Sequence, residues 1–186
     1  MNDIITFNTN TQVFSNFKKS SGHGLAELVK DMNSPFVVEI GCSEGDTTQW
    51  LLDSNPTLKI VSIDPYVNYV DWNGNNLNDR EEFYQKTMRR LEKYGERFLM
   101  IRDYSDNIFS KFNDESIDLL FIDGLHTYDQ VLKDCNNYYS KVKPGGIFSG
   151  HDYTAITGVN QAVNEFAADM KKNILTTDCD VWYWYK

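Results

Sequence analysis

Short apolar runs alternate with longer amphipathic segments along this chain, and that alternation restricts the possible folds more than any other feature. The runs are PFVVEIG (35–41), KIVSID (59–64), RFLMIRD (97–103), IDLLFIDG (117–124) and GGIFSGHD (145–152). Each is rich in Val, Ile, Leu or Phe with no internal proline, which reads as central strands buried on both faces. Between them, DTTQWLLDSN (46–55), NDREEFYQKTMRRLEKYG (78–95), TYDQVLKDCNNYYSKV (127–142) and GVNQAVNEFAADMKKN (158–173) have helical spacing. Strands alternating with helices imply parallel crossovers and a sheet covered on both sides, an α/β fold. GLAELVKDMN (24–33) adds an earlier helix, ended by Asn33 and the Pro35 break. DVWYWYK (180–186) reads as a further strand, antiparallel and at or near the edge. There Trp182 and Trp184 alternate with Val181, Tyr183 and Tyr185, so one set faces the core and the other a partly wet face. YVNYVDWNGNNLND (66–79) breaks the pattern, and its Asn, Asp and Gly mark a loop, either a lid or a plain surface connection.

Composition narrows the function classes. A chain of 186 residues with 41% hydrophobic content supports one well-buried core and is short for two. It carries 18 basic and 27 acidic residues, a net charge of −9, and no Lys or Arg block stands apart from acidic neighbours. That argues against nucleic-acid partners and against an anionic membrane surface. No run approaches the ~20 apolar residues of a membrane span, and MNDIITFNTNTQVF lacks the basic flank and apolar run of a secretory signal. Cys42, Cys135 and Cys179 are odd in number and share no metal-type spacing, so they read as reduced thiols in a cytoplasmic protein.

In an open α/β sheet, ligands bind beyond the carboxyl ends of the strands, so polar residues there carry the most information. The first strand ends with Glu39, Gly41 and Gly45. Glycines let backbone approach a ligand closely, and the helix starting near Asp46 aims free N–H groups at the same space. The Gly-x-x-x-Gly spacing differs from the Gly-x-Gly-x-x-Gly that holds a pyrophosphate, and Glu39 would repel a phosphate and attract a cationic group. Asp64, ending the second strand, is placed either to accept from ribose hydroxyls or to cap a turn. Tyr104, Ser105 and Asp106, after the third, can frame an adenine by stacking and by edge contacts.

EIGCSEG, SIDPY, FIDGLHTYDQVLKD and KPGGIFSGHDY with the following GVNQAVNEF resemble the class I S-adenosylmethionine-dependent methyltransferases. More narrowly, they are similar to members whose fourth strand ends Phe-Ile-Asp-Gly-x-His-x-Tyr and whose fifth ends Gly-His-Asp-Tyr. The resemblance spans about residues 35 to 170. It implies a Rossmann-like, seven-stranded, mostly parallel sheet with helices on both faces, an antiparallel C-terminal strand, and the fourth strand between the first and fifth. It also implies that Glu39, Gly41, Ser43 and Gly45 face the methionine part of the cofactor, that Asp64 takes the ribose, and that Tyr104, Ser105 and Asp106 border the adenine. Asp123 is expected beside the cofactor as well. The chain then divides into an N-terminal helical extension (1–34) and a methyltransferase domain (35–186), with substrate choice expected in residues 1–34 and 66–96.

Adjacent strands lie ~4.8 Å apart, so side chains at the ends of the fourth and fifth can meet on one ion or one oxygen. Asp123, His126, His151 and Asp152 are the expected neighbours. Related metal-dependent O-methyltransferases carry carboxylate or amide ligands at these strand ends, which by resemblance makes Asp123 and Asp152 ligands of a divalent metal. His151 stands where an oxygen ligand is expected, and imidazole suits softer ions than Mg or Ca. Either His151 joins the ligands or both histidines bond cofactor, substrate or backbone without metal. His126 is the candidate general base, since unperturbed imidazole titrates near operating pH.

The expected function is methyl transfer from S-adenosylmethionine to a small-molecule acceptor, with hydroxyl oxygen favoured. Two alternatives share the same residues: a nicotinamide-dependent oxidoreductase and a catalytically silent binding module of the same fold. A homo-oligomer is compatible with the sequence, which does not specify one.

Overall fold

The computed structural model describes residues 21–71 and 73–186. Most of the expected N-terminal extension, residues 1–20, and Trp72 of the irregular loop lie outside the described residues. The chain runs α1 (Ser21–Val29), β1 (Phe36–Ile40), α2 (Asp46–Ser54), β2 (Lys59–Ile63), β3 (Tyr69–Val70), β4 (Asn76–Leu77), α3 (Arg80–Leu91) and β5 (Phe98–Ile101). It continues with α4 (Ser105–Ile108), β6 (Ile117–Ile122), α5 (Tyr128–Tyr138), β7 (Val142–Gly150), α6 (Thr157–Asp169), β8 (Leu175–Thr176) and β9 (Trp182–Tyr185).

Seven strands form one sheet in the order β5-β2-β1-β6-β7-β9-β8. The pairs β5–β2, β2–β1, β1–β6 and β6–β7 are parallel, and β9 lies antiparallel between β7 and β8. The Rossmann-like, mostly parallel expectation with an antiparallel C-terminal strand therefore holds. Strand order reverses at β1, so the carboxyl ends of β1, β2 and β6 share one crevice.

Alternation along the strands sorts the core into two layers. Val38, Ile40, Val61, Ile63, Leu120, Ile122 and Phe148 pack under α5 and α6, while Val37, Ile60, Leu119, Phe121 and Ile147 pack under α1 and α2. Trp182 and Trp184 belong to the first layer, where Phe148 lies 5.8 and 5.0 Å from their ring centroids. Truncating one of these tryptophans to alanine should cost ~3–5 kcal/mol.

Three details depart from the sequence reading. RFLMIRD was expected in the sheet centre, yet β5 is an edge strand with Leu99 56% exposed, because only β2 flanks it. The loop 66–79 carries a small hairpin, β3 pairing antiparallel with β4. α4 and β8 are too short for periodicity to reveal. Among the described residues, no helix is long and apolar enough to cross a membrane.

Candidate active site

The turn after β1 is fixed by close backbone approach. Gly41 has φ 86°, and a Cβ there would lie 2.0 Å from the carbonyl oxygen of Asp123, so the tips of β1 and β6 can meet only over a glycine. Gly45, at φ 78°, turns the chain into α2. Three groups then pin the outside of the turn: Tyr66 Oη and Thr87 Oγ1 donate to the Ser43 carbonyl at 2.7 and 2.6 Å, and Arg90 Nη1 donates to the Glu44 carbonyl at 2.9 Å.

Asp64, at the tip of β2, is held by backbone. Its Oδ2 accepts from the N–H groups of Cys42 (3.1 Å) and Ser43 (3.0 Å), and its Oδ1 from the N–H of Tyr66 (2.8 Å). The carboxylate is thus the inner wall of the turn, and a carboxylate's remaining lone pairs can still accept from a ligand. Both readings of Asp64 meet here: it caps the turn and lines the cavity described below.

Glu39 behaves differently. It pairs with Ser62 across the β1–β2 ladder and shares that residue's face, toward α2. Its Oε2 accepts from Ser62 Oγ at 2.6 Å and from Thr48 Oγ1, while Oε1 is buried with no hydrogen-bond partner among the described residues. Burial outweighs these bonds and pushes its pKa up to about 7. At 1% exposure, Glu39 is sealed beneath the turn and does not line the cavity, so the side chain does not face the methionine position assigned to it by resemblance.

The tips of β6 and β7 bring four side chains together. His126 Nε2 lies 3.2 Å from Asp123 Oδ1 and 3.0 Å from Asp152 Oδ2. His151 Nδ1 lies 3.1 Å from Asp152 Oδ1 and 3.8 Å from Asp123 Oδ1, and its Nε2 is 3.0 Å from the Cys179 carbonyl oxygen. The two carboxylates and two imidazoles therefore form a ring of alternating charge type. Burial alone would lower the His151 pKa, but the hydrogen bond to Asp152 and the field of Asp123 push it up to about 9. Burial raises Asp123, opposed by His126 and His151; Asp152 is also partly buried, yet the imidazoles hold it below the usual carboxylate range. Asp152 sits at φ 60°, a strained setting for a residue with a side chain. The turn between β8 and β9 secures it: Trp182 Nε1 donates to the His151 carbonyl, and Asp180 accepts from the N–H groups of Thr154 and Ala155.

A cavity of about 470 Å³ joins these parts, lined at one end by Tyr104, Ser105, Gln130 and Asp134 and at the other by Asp123 and His126, with Gly41, Ser43 and Asp64 between. Val67, Tyr69 and Val70 overhang it from the β3 region, and Arg80 enters at the start of α3. The Arg80 guanidinium is stacked 4.7 Å from the Phe83 centroid and reaches Ser43 Oγ at 3.4 Å. It is 7% exposed, and no carboxylate of the described residues lies within salt-bridge distance.

Residues 38–153 match a family described as a methyltransferase domain, which is more than half of the chain. The chain belongs to this methyltransferase family. The sheet order and the strand-end site are those expected of its class I, S-adenosylmethionine-dependent members. Among curated proteins it is 31% identical over 141 residues to the uncharacterized protein R132 of Acanthamoeba polyphaga mimivirus, covering 72% of this chain and 60% of that protein. It is 31% identical over 72 residues to the uncharacterized protein y4gI of Sinorhizobium fredii, covering 39% of this chain and 8% of that one. The chain thus spans less than two thirds of either relative. In fold it is similar to the O-methyltransferase from Bacillus cereus in complex with SAH, at TM-score 0.62 and 16% identity over 89% of this chain and 80% of that one. TomG from Streptomyces achromogenes, an O-methyltransferase of tomaymycin synthesis in complex with SAM, matches at TM-score 0.62 and 13% identity over 89% and 79%.

Within the methyltransferase, the structure brings Gly41, Ser43, Asp64, Tyr104, Ser105, Asp123 and His126 to one cavity. It leaves out Glu39, Gly45 and Asp106; Gly45 sits against Thr87 and Leu91 behind the turn. Asp106 is tied to Lys133 at 2.7 Å and to Asn137 at 3.2 Å on the outer side of α4, because the first turn of that helix points Ser105 inward and its successor outward. The expected ligand trio of Asp123, His151 and Asp152 is also altered. The side chains whose ligand atoms lie within 4.8 Å of one another are Asp123, His126 and Asp152, and His151 has one ring nitrogen committed to Cys179. Arg80, Gln130 and Asp134 were missed, since they lie on helices for which the sequence gave only helical spacing.

Proposed function

We propose that this methyltransferase moves the methyl group of S-adenosylmethionine to a hydroxyl oxygen of a small-molecule acceptor, with His126 as general base. The observation that carries the reading is the placement of His126 Nε2 between two carboxylates, at the opposite end of one cavity from Ser105. The donor's adenine lies toward Tyr104 and Ser105, its ribose over Asp64, and its methionine over the turn from Gly41 to Gly45. Its single carboxylate faces Arg80, a buried cation with no carboxylate partner among the described residues. Asp123 supplies negative charge near the sulfonium.

In the reaction, the acceptor O–H gives its proton to His126 as the oxygen attacks the methyl carbon. The C–S bond breaks with its electron pair going to sulfur, leaving S-adenosylhomocysteine and the methyl ether. Asp123 and Asp152 orient the ring and balance its charge once it holds the proton. Holding donor and acceptor in line supplies the rest of the acceleration. Three buried free thiols support a reduced, cytoplasmic setting.

A second reading rests on the same cluster. Ligands ~2.1 Å from an octahedral ion sit about 3 Å apart when adjacent, which the His126–carboxylate distances of 3.2 and 3.0 Å satisfy. Asp123, His126 and Asp152 would then hold a divalent cation, whose chemistry is to acidify and orient the acceptor hydroxyl, and His126 would be a ligand.

Calorimetry with S-adenosylmethionine and S-adenosylhomocysteine tests the donor, and no binding at millimolar concentration would defeat the proposal. A panel of phenols, sugars and amines tests the acceptor; methylation confined to amines would remove the oxygen assignment. Turnover unchanged by chelation supports His126 as base, whereas loss restored by added divalent ion selects the second reading.

A further inference from the structure

The opening of the cavity is apolar. Its exposed lining residues are Val67 (42%), Val70 (57%), Tyr104 (53%) and Leu125 (41%), with Ser43 and Asn68 the polar ones. A single exposed valine or leucine is ordinary on a protein surface. These four, however, are nearly half of the nine large hydrophobic side chains exposed among the described residues, and all of them border one opening. Only Tyr104 meets the donor in the placement given above, so Val67, Val70 and Leu125 are left without a role.

The three stand on two walls. Val67 and Val70 belong to the segment that follows β2, whereas Leu125 lies in the turn between β6 and α5, next to His126. β1 runs between β2 and β6 in the sheet, so with strands ~4.8 Å apart the two walls rise from strands ~10 Å apart, room for a group that touches both. Tyr69 is half-buried on the first wall, its ring centroid 5.9 Å from the Arg80 guanidinium carbon.

Charge is kept back from this opening. Asp64, Arg80, Asp123 and Asp134 line the cavity, and each is buried or half-buried. On the flanking elements, Arg102 is paired with Glu81 at 2.6 Å and Lys133 with Asp106 at 2.7 Å. Asp71 directly follows Val70, and the hydrogen bond from the Asn75 side chain holds its carboxyl below the usual range. An anionic acceptor would therefore approach Asp71 and Asp123 while Arg80 is taken by the donor's carboxylate. A sugar would give up water for valine and leucine methyl groups.

We propose that the acceptor is an uncharged, predominantly apolar hydroxyl compound, gripped between Val67 and Val70 on one wall and Leu125 on the other, with its hydroxyl toward His126. This rests on the methyl-donor reading above and adds the acceptor's chemical class. Burial of the acceptor's apolar surface against these side chains supplies its affinity.

The test is calorimetry on the intact chain saturated with S-adenosylhomocysteine, titrated with 2-naphthol, with 6-hydroxy-2-naphthoate, which adds a carboxylate to the same ring, and with methyl glucoside. The wild-type protein should bind 2-naphthol at least ~10-fold more tightly than either of the others. Val70→Lys should narrow the naphthol-to-naphthoate ratio to ~3-fold, and from the opposite wall Leu125→Ala should weaken 2-naphthol ~5-fold; binding of S-adenosylhomocysteine shows that each variant is folded. Naphthoate or glucoside bound as tightly as 2-naphthol overturns the proposal, and so do folded variants that keep the wild-type ratio and affinity. A wild-type chain that binds S-adenosylhomocysteine but none of the three compounds overturns it as well and leaves the donor reading standing. Failure to bind S-adenosylhomocysteine at millimolar concentration defeats the donor reading and this proposal together.

Discussion

The two ends of the cavity hold their carboxylates by opposite means. At the tips of β1 and β2, Asp64 is fixed by three backbone N–H groups, donors that cannot titrate or swing away. At the tips of β6 and β7, Asp123 and Asp152 are held by His126 and His151, imidazole side chains that can take up and release a proton. A backbone-held carboxylate gives a shape of constant charge and suits binding. An imidazole-held pair can accept a proton and return it to solvent, and suits chemistry.

If that division is right, the largest effect belongs to the imidazole end. His126→Ala should lower turnover by ~10²–10⁴-fold while S-adenosylhomocysteine affinity stays within ~3-fold by calorimetry; full turnover would remove the role given to His126. At the backbone-held end, Asp64→Asn should do the reverse. Its turn loses a charged acceptor for three N–H groups, worth ~2–3 kcal/mol, so donor affinity and melting temperature should fall together. An Asp64 variant with normal affinity but lost turnover would break the comparison.

Glu39 sharpens it, as a carboxyl held by neither means. Its folded pKa of about 7 stands above the unfolded value of 4.5, so the native chain binds more protons in that window. Stability is favoured at low pH and declines as pH rises from about 4.5 to about 7. Denaturant unfolding should show a loss of ~2 kcal/mol from pH 5 to 8, and Glu39→Gln should flatten that slope; an unchanged slope would place the titration elsewhere. The smallest effect is expected for Arg80→Met. It should weaken S-adenosylhomocysteine ~10-fold and leave 5′-methylthioadenosine, which lacks the amino-acid carboxylate, unaffected.

Strand ends were legible in the sequence because a buried parallel strand announces itself as an apolar run, and a polar residue closing it has one place to go. Asp64, Asp123, His126 and Asp152 follow from that rule. Glu39 did not, although parity contained the answer: with Val38 and Ile40 on the α5–α6 face, Glu39 must lie on the other. Asp106 was misplaced because α4 has four residues, too few to establish which side of a helix faces inward. Arg80 reaches the cavity only because α3 packs across the turn after β1, a tertiary arrangement that local spacing does not encode. β8 was unseen for a similar reason, since Leu175 and Thr176 pair with β9 without a pattern of their own.

The turn joining β8 to β9 has a consequence for chain synthesis. Cys179, Asp180 and Trp182 steady the His151–Asp152 corner from about thirty residues downstream. A product released before that segment is translated would still contain every cleft residue from Gly41 to Asp152, yet would lack the bonds that Cys179, Asp180 and Trp182 make to the corner. Proofreading of length is in this sense built into the machinery: the corner is complete only once the ribosome has passed β8 and begun β9.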